Sequence, residues 1–252
     1  FAWLYYADRL YQLPLGVVGI AIGIVLLPEL SRTLINKNIN EGQNAFNRAL
    51  EFSLLLTIPS AIALIIIPVS LISVLFERGM FTKTDSISTA HALAIYGLGL
   101  PAFVLQKVLQ PLYFAREDTK SPFKFAIFAM ILNVSLAIIL SFYFGFLSAA
   151  IGTTVSSWAM IFLLWSGCRG MGQATKIDFR LKKNLPLIIA SSILMGIIIY
   201  LVQLILINNL NAPNIRYFSL FILIFSGIIS YIFFINLFGV ISKKDIRKFI
   251  KK

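Results

Sequence analysis

The chain has 252 residues, of which 59% are hydrophobic and only 13% charged, and it carries 22 phenylalanines. No soluble domain could hide that much apolar surface, so lipid has to be the solvent. The formal net charge is +12, yet the basic residues are divided among several connections and the tail, a pattern that encodes membrane topology rather than nucleic-acid binding.

A membrane helix needs roughly 20 apolar residues to cross a hydrocarbon core of about 30 Å, because every backbone N–H and C=O must bond within the segment. Seven stretches qualify in chain order: Leu4 to Leu30, Phe46 to Phe76, Ser86 to Phe114, Pro122 to Phe144, Phe146 to Gly167, Leu185 to Ile207, and Tyr217 to Val240. The expected class is an all-α integral membrane protein with about seven transmembrane helices. No stretch has the short apolar core and cleavage site of a secretory signal, and Phe1 stands where an initiator Met would, so the chain reads as a fragment. Pro14 and Pro28, Pro59 and Pro68, and Pro101 and Pro111 fall in pairs in the first three stretches. Each removes a donor and bends its helix, either as ordinary membrane-helix chemistry or to frame a cavity. Ser121-Pro122 reads as an N-cap followed by proline at the first helical position.

The organisation is a five-helix unit over 1–168, a polar connection over 169–184, a two-helix hairpin over 185–240 and a basic tail over 241–252. Stretches 31–52, 115–124, 168–184 and 242–252 hold three, three, five and six Lys or Arg, together 17 of the 22. The positive-inside rule puts these four in the cytoplasm, which turns the N-terminus outward and the C-terminus inward.

Chemistry is sparse. A single His and a single Cys, no Gly-rich phosphate loop and no close pair of intramembrane carboxylates exclude an enzyme or an ATP-driven pump within this chain. Cys168, alone, offers neither a disulfide framework nor a Cys-rich metal site and reads as inert. No cofactor is expected. Asp8-Arg9, between Trp3 and Pro14, is the most informative pair, since a charge within a membrane helix costs about 2.5–3.5 kcal/mol on insertion scales. Neighbours on a helix lie about 100° apart, so Asp8 is a poor partner for Arg9, whose planar fork is left for another helix or a phosphate. The alternative is interfacial: Trp3, Tyr5, Tyr6 and Tyr11 resemble an aromatic belt in which Arg9 snorkels. Lys107 lies inside the third stretch, where it either snorkels towards Ala115 or faces the interior. Gln106, Gln110 and Asn133 either line a polar interior or bond between helices. Glu29 reads as interfacial, and His91 sits too near a helix end for a proton relay.

The run Tyr5-Tyr6-Ala7-Asp8-Arg9-Leu10-Tyr11-Gln12-Leu13-Pro14-Leu15-Gly16, then Gly19-Ile20-Ala21 and Leu26-Leu27-Pro28-Glu29-Leu30-Ser31, closely resembles the MurJ (MviN) lipid II flippases. So do Leu75-Phe76-Glu77-Arg78-Gly79-Met80-Phe81-Thr82 and Tyr113-Phe114-Ala115-Arg116-Glu117-Asp118-Thr119-Lys120-Ser121-Pro122. The likeness is motif-strong up to about Pro122. It implies the second half of a fourteen-helix fold of the multidrug, oligosaccharidyl-lipid and polysaccharide exporter (MOP/MATE-like) type. Residues 1–168 would form most of the second lobe, and 185–240 a hairpin flanking a groove for a lipid tail. It implies a flippase of the bacterial cytoplasmic membrane that takes lipid II, the undecaprenyl-diphosphate-linked peptidoglycan precursor, through alternating access. Arg9 would be the main head-group contact, with Asp8, Gln12 and Lys107 as lesser ones. A sodium site of the kind some members carry is in doubt, because no Asp or Glu lies between Lys120 and Gly167. An exporter of another substrate in the same superfamily, or a scaffold for cell-wall synthesis proteins, is the alternative.

Overall fold

Apolar runs without water to satisfy their backbone have one open-ended solution, the helix. A computed structural model describes residues 2–35, 39–172, 175–210, 212 and 215–240, with the side chains of 20–27, 29, 34, 35 and 39 outside that description. Its helices are α1 (Ala2–Ile35), α2 (Ile39–Ile66), α3 (Pro68–Phe76), α4 (Lys83–Phe114), α5 (Lys120–Phe144), α6 (Leu147–Cys168), α7 (Phe179–Leu210) and α8 (Arg216–Leu237). A 3₁₀ turn, Arg169–Met171, extends α6.

Six helices of the described residues are long and apolar enough to cross a membrane: α2, α4, α5, α6 with its turn, α7 and α8. The first of the seven expected spans is one continuous helix of 34 residues, α1, much of whose central side-chain detail lies outside the described residues. The expected basic tail, 241–252, lies outside them entirely.

The structure corrects three local expectations. The run Phe46 to Phe76 is not one helix but two, broken at Ile67, whose φ of −116° and ψ of 33° leave the helical region. Pro68 has no N–H to continue the ladder and pushes the residue before it out of the α region. α3 then turns away to pack on α4 and α8. Pro14, Pro28, Pro59, Pro101 and Pro111 remain inside continuous helices. Ser121 is not the N-cap of α5: the helix begins at Lys120, and the Asp118 carboxylate accepts the Ser121 N–H at 3.0 Å. Hydrogen bonds from the Ser121 side chain and backbone hold the Asp118 carboxyl below its usual range. This contribution is therefore present above the ordinary carboxylate pKa and is lost as pH falls through the lowered value. Finally, α7 begins at Phe179, ahead of the apolar run, because Asp178 accepts the Leu181 N–H at 2.7 Å and starts the helix early.

α4 is the centre of the assembly, packed against α1, α2, α3 and α6. Its contact with α6 is made of side chains bonding to the opposite backbone. Thr154 donates to the Ile95 carbonyl at 3.0 Å, Trp158 to Leu98 at 3.1 Å, Gln106 to Ser157 at 3.3 Å and Tyr113 to Leu164 at 2.6 Å. Gln106 is thus interhelical glue. Tyr113 is buried, so Tyr113→Phe is expected to lower stability by about 0.5–1.5 kcal/mol, read as a lower melting temperature in detergent.

α5 packs mainly on α6 and buries little beyond Pro122. α7 and α8 pair as a hairpin laid on α2 and α3. One end of the bundle gathers the starts of α1, α4 and α8: Trp3 Nε1 donates to Asp85 at 2.8 Å, inside the Thr82–Asp85 capping box, and Arg216 donates to the Glu77 carbonyl at 3.2 Å.

Candidate functional site

α1 is a helix with two unlike faces. Ala7, Tyr11 and Val18 are buried. The Tyr11 ring lies 4.9 Å from Tyr96 and 5.2 Å from Phe103, both on α4. Trp3 sits 4.8 Å from Phe146, and Tyr6 packs between Phe76 and Phe81. These contacts fix the rotation of α1 about its axis. They leave Tyr5, Arg9, Gln12, Leu13 and Val17 exposed, with Asp8 and Gly16 half-buried beside them.

At 100° per residue, Tyr5, Asp8, Arg9, Gln12, Gly16 and Gly19 fall within about a third of the helix circumference. The structure therefore brings Asp8, Arg9 and Gln12 together on one open stripe. Asp8 accepts from Gln12 Nε2, and Arg9 Nη2 donates to the Tyr5 hydroxyl at 3.0 Å with its Cζ 4.8 Å from that ring's centre. Each charge thus engages a residue one turn away rather than its neighbour, as helix geometry requires. Among the described residues Arg9 has no carboxylate partner. Two faces of its fork remain for an anion.

Lys107 joins the same stripe farther along. A Cβ placed on Gly19 would meet Lys107 Cγ at 3.5 Å, and the side chain of Lys107 is exposed. Gly19 is ten residues from Arg9, so Lys107 lies about 15 Å down the stripe rather than in the same immediate site. Gly16, between them, has open space where a side chain would stand. A cation thus marks each end of a polar strip floored by glycine.

The other candidates fall elsewhere. Asn133 packs its amide against Gly152 of α6, in the α5–α6 contact. Gln110 is half-buried, His91 is exposed and Cys168 is buried. The Glu29 side chain lies outside the described residues. Among those residues no group of three His, Cys, Asp or Glu is placed to hold a metal ion.

Two features escaped the sequence reading. The first is an apolar groove of about 400 Å³ between α2 and α7, lined by Ile62, Ile65, Ile66, Ile193, Ile197 and Tyr200, with Gly196 at its floor. The second is a charged cluster at the opposite end from Trp3. Glu51, buried, accepts from Arg48, from Arg180 Nε at 3.3 Å and from Asn184 at 2.5 Å, while Arg48 also reaches Asp178. Glu51 is the lone acid in the apolar run of α2, and that isolation was the available signal.

A family model described as lipid II flippase MurJ matches residues 1–241. The "Probable lipid II flippase MurJ" of Rhizobium tropici is 44% identical over 200 residues, covering 79% of this chain and 38% of that protein. The protein of the same name from Buchnera aphidicola subsp. Acyrthosiphon pisum is 28% identical over 242 residues, covering 95% of this chain and 47% of its own length. A solved structure of the lipid II flippase MurJ in an inward closed conformation superposes with a TM-score of 0.77 at 28% identity, over 94% of this chain and 46% of that one. The chain therefore spans less than half the length of the relatives it matches.

Proposed function

Since the chain belongs to the lipid II flippase MurJ family, we propose that it is the second lobe of a transporter that carries lipid II across the bacterial cytoplasmic membrane. The observation that carries this reading is the open stripe on α1. A guanidinium that has no carboxylate partner among the described residues stands on a helix whose opposite face buries Ala7, Tyr11 and Val18, and a second cation stands beside the same stripe. An arginine at membrane depth without an anion is costly, and a diphosphate would supply the missing charge in bidentate geometry.

Arg9 is the main head-group contact, Gln12 holds Asp8 in place beside it, and Lys107 meets the far side of the head group. The groove between α2 and α7 takes the prenyl chain, because its lining is almost wholly apolar and an isoprenoid offers nothing to hydrogen bonds. Exchange of this lobe against the missing one exposes the stripe alternately to each side of the membrane. The start of α1 faces outward and the basic connections inward, following the charge distribution. Met80, 95% exposed in the turn before α4, is then an outward marker. In a Cys168→Ser background, Met80→Cys is expected to react with a membrane-impermeant maleimide in intact cells; protection until lysis would reverse the orientation.

The decisive experiment is rescue. Bacteria depleted of their own lipid II flippase are supplied with the full-length protein, and lipid II at the outer face is quantified. Restoration of growth and of outward lipid II is expected. A well-expressed protein that fails on both counts would point instead to another exporter substrate or to a scaffold for cell-wall synthesis proteins.

A further inference from the structure

The hairpin meets the rest of the bundle through a largely apolar seam. Ile62, Ile65 and Ile66 of α2 and Ile193 and Ile197 of α7 line the groove, and Ile58 of α2 packs in one cluster with Ile188 of α7. Lipid chains are as apolar as isoleucine, so burial gives no preference for one alignment over another. Packing at the small residue Gly196 favours one alignment, and in apolar interfaces a buried polar contact commonly adds to such a preference by specifying the register.

Several polar contacts cross the seam: Gln203 donates to Ser70 at 2.8 Å, Tyr231 to the Leu55 carbonyl at 2.5 Å and Arg216 to the Glu77 carbonyl at 3.2 Å, but the contact between α2 and α7 themselves is a buried cluster of charged groups. Glu51, only 7% exposed, receives hydrogen bonds from Arg180 and Asn184 on α7 and pairs with Arg48 on its own helix. Arg48 reaches on to Asp178, while Asn47 donates to the Lys176 carbonyl at 2.9 Å and accepts the Asp178 N–H at 3.0 Å. Asn184 also donates to the Val240 carbonyl at 3.5 Å, just beyond the end of α8. One buried carboxylate therefore engages α2 and α7 directly and the close of α8 through Asn184.

The groove lies in the same α2–α7 contact, 11 residues beyond Glu51 at Ile62 and 12 residues beyond Asn184 at Gly196, about 16–18 Å along the helices. At Gly196 the two helices touch: a Cβ there would stand 2.6 Å from Ile66 Cδ1 and 2.8 Å from Ile62 Cγ2. A one-residue slip of α7 would turn Gly196 away by about 100° and put a larger side chain into that contact. The groove and the Glu51 cluster therefore belong to one and the same register of α7 on α2.

We propose that Glu51, with Arg180 and Asn184, is a register pin that positions the hairpin on α2 and so sets the groove's preference for a long prenyl chain. The chain-length half of this rests on the groove being the tail site. The register half stands on the contacts alone.

The test uses the full-length protein in nanodiscs and keeps the two halves apart. Spin labels at Val69→Cys on α3 and Leu201→Cys on α7, in a Cys168→Ser background, report the register. Binding of undecaprenyl diphosphate against geranyl diphosphate reports chain-length preference, the two ligands sharing one head group. In Glu51→Ala the single distance is expected to broaden or split. Preference for the long chain should fall about ten-fold, roughly what two unburied methylenes cost, while geranyl diphosphate binds as before. If the alanine variant does not fold, Glu51→Gln takes its place: it keeps an acceptor for Asn184 but not the ion pairs, and is expected to shift both readings in the same direction by less. An unchanged distance distribution would overturn the register pin. A broadened distribution with unchanged preference would overturn its positioning of the groove. Absence of any chain-length preference in the unaltered protein would sink the tail-site reading and leave the pin to be judged on the distances.

Discussion

Arg9→Ala in the full-length protein is expected to abolish rescue of flippase-depleted bacteria while leaving expression and melting temperature unchanged. The two halves of that expectation come from the same geometry. Among the described residues the polar contacts of the Arg9 guanidinium are with the Tyr5 hydroxyl and ring, on the exposed face of α1, so its removal opens no cavity and strands no buried partner there. Its loss falls instead on an anion held in the stripe. A charge-assisted hydrogen bond contributes about 1.5–3 kcal/mol, so head-group affinity should fall about 10- to 100-fold per bond lost. Arg9→Lys tests the geometry rather than the charge. Lysine keeps the cation but not the planar fork, and transport is expected to remain severely impaired. Tyr5→Phe removes only a positioning hydroxyl and should cost a few-fold at most. Full transport by the lysine variant would remove the diphosphate contact from Arg9 and return it to an interfacial role.

How much of this was legible beforehand depends on whether a feature is local in the chain. The membrane spans were legible because length and hydropathy are local. So was the α1 stripe, whose residues lie within five helical turns, and even the separation of Asp8 from Arg9 follows from 100° per residue. The break at Ile67 was not, because Pro68 resembles the five prolines before and after it that remain inside α1, α2 and α4. What distinguishes it is where α3 goes next, onto α4 and α8, and that is tertiary. The Glu51 cluster was hidden for the same reason: its partners on α7 lie 129 and 133 residues away. Trp3 finding Asp85 is a third case, a capping carboxylate recruited by a helix 82 residues earlier. Lys107 shows the middle ground. Its exposure on the stripe follows from the rotation of α4, which Tyr11 sets by packing on Tyr96 and Phe103, a contact no spacing rule connects to Lys107.

Ile197→Trp carries the second large expected effect, and it separates the tail site from the head-group site. Ile197 lines the groove yet is 51% exposed, so the larger ring can enter the groove's open volume without overpacking a closed core. Indole is larger than the side chain it replaces and narrows the groove at that point without filling its volume of about 400 Å³. Melting temperature should therefore hold or rise slightly, because apolar surface is gained rather than lost. Outward lipid II should drop to a small fraction of the unaltered level, while geranyl diphosphate, too short to need the groove, keeps its affinity. Arg9→Ala gives a different ligand pattern, with both diphosphates weakened alike. The pair of variants then assigns each end of the lipid to its own surface: a polar stripe on α1 for the charge, and an isoleucine groove on α2 and α7 for the chain. If Ile197→Trp weakened the short ligand as much as the long one, the groove would be acting through the shape of the whole lobe, and the tail would have to run elsewhere.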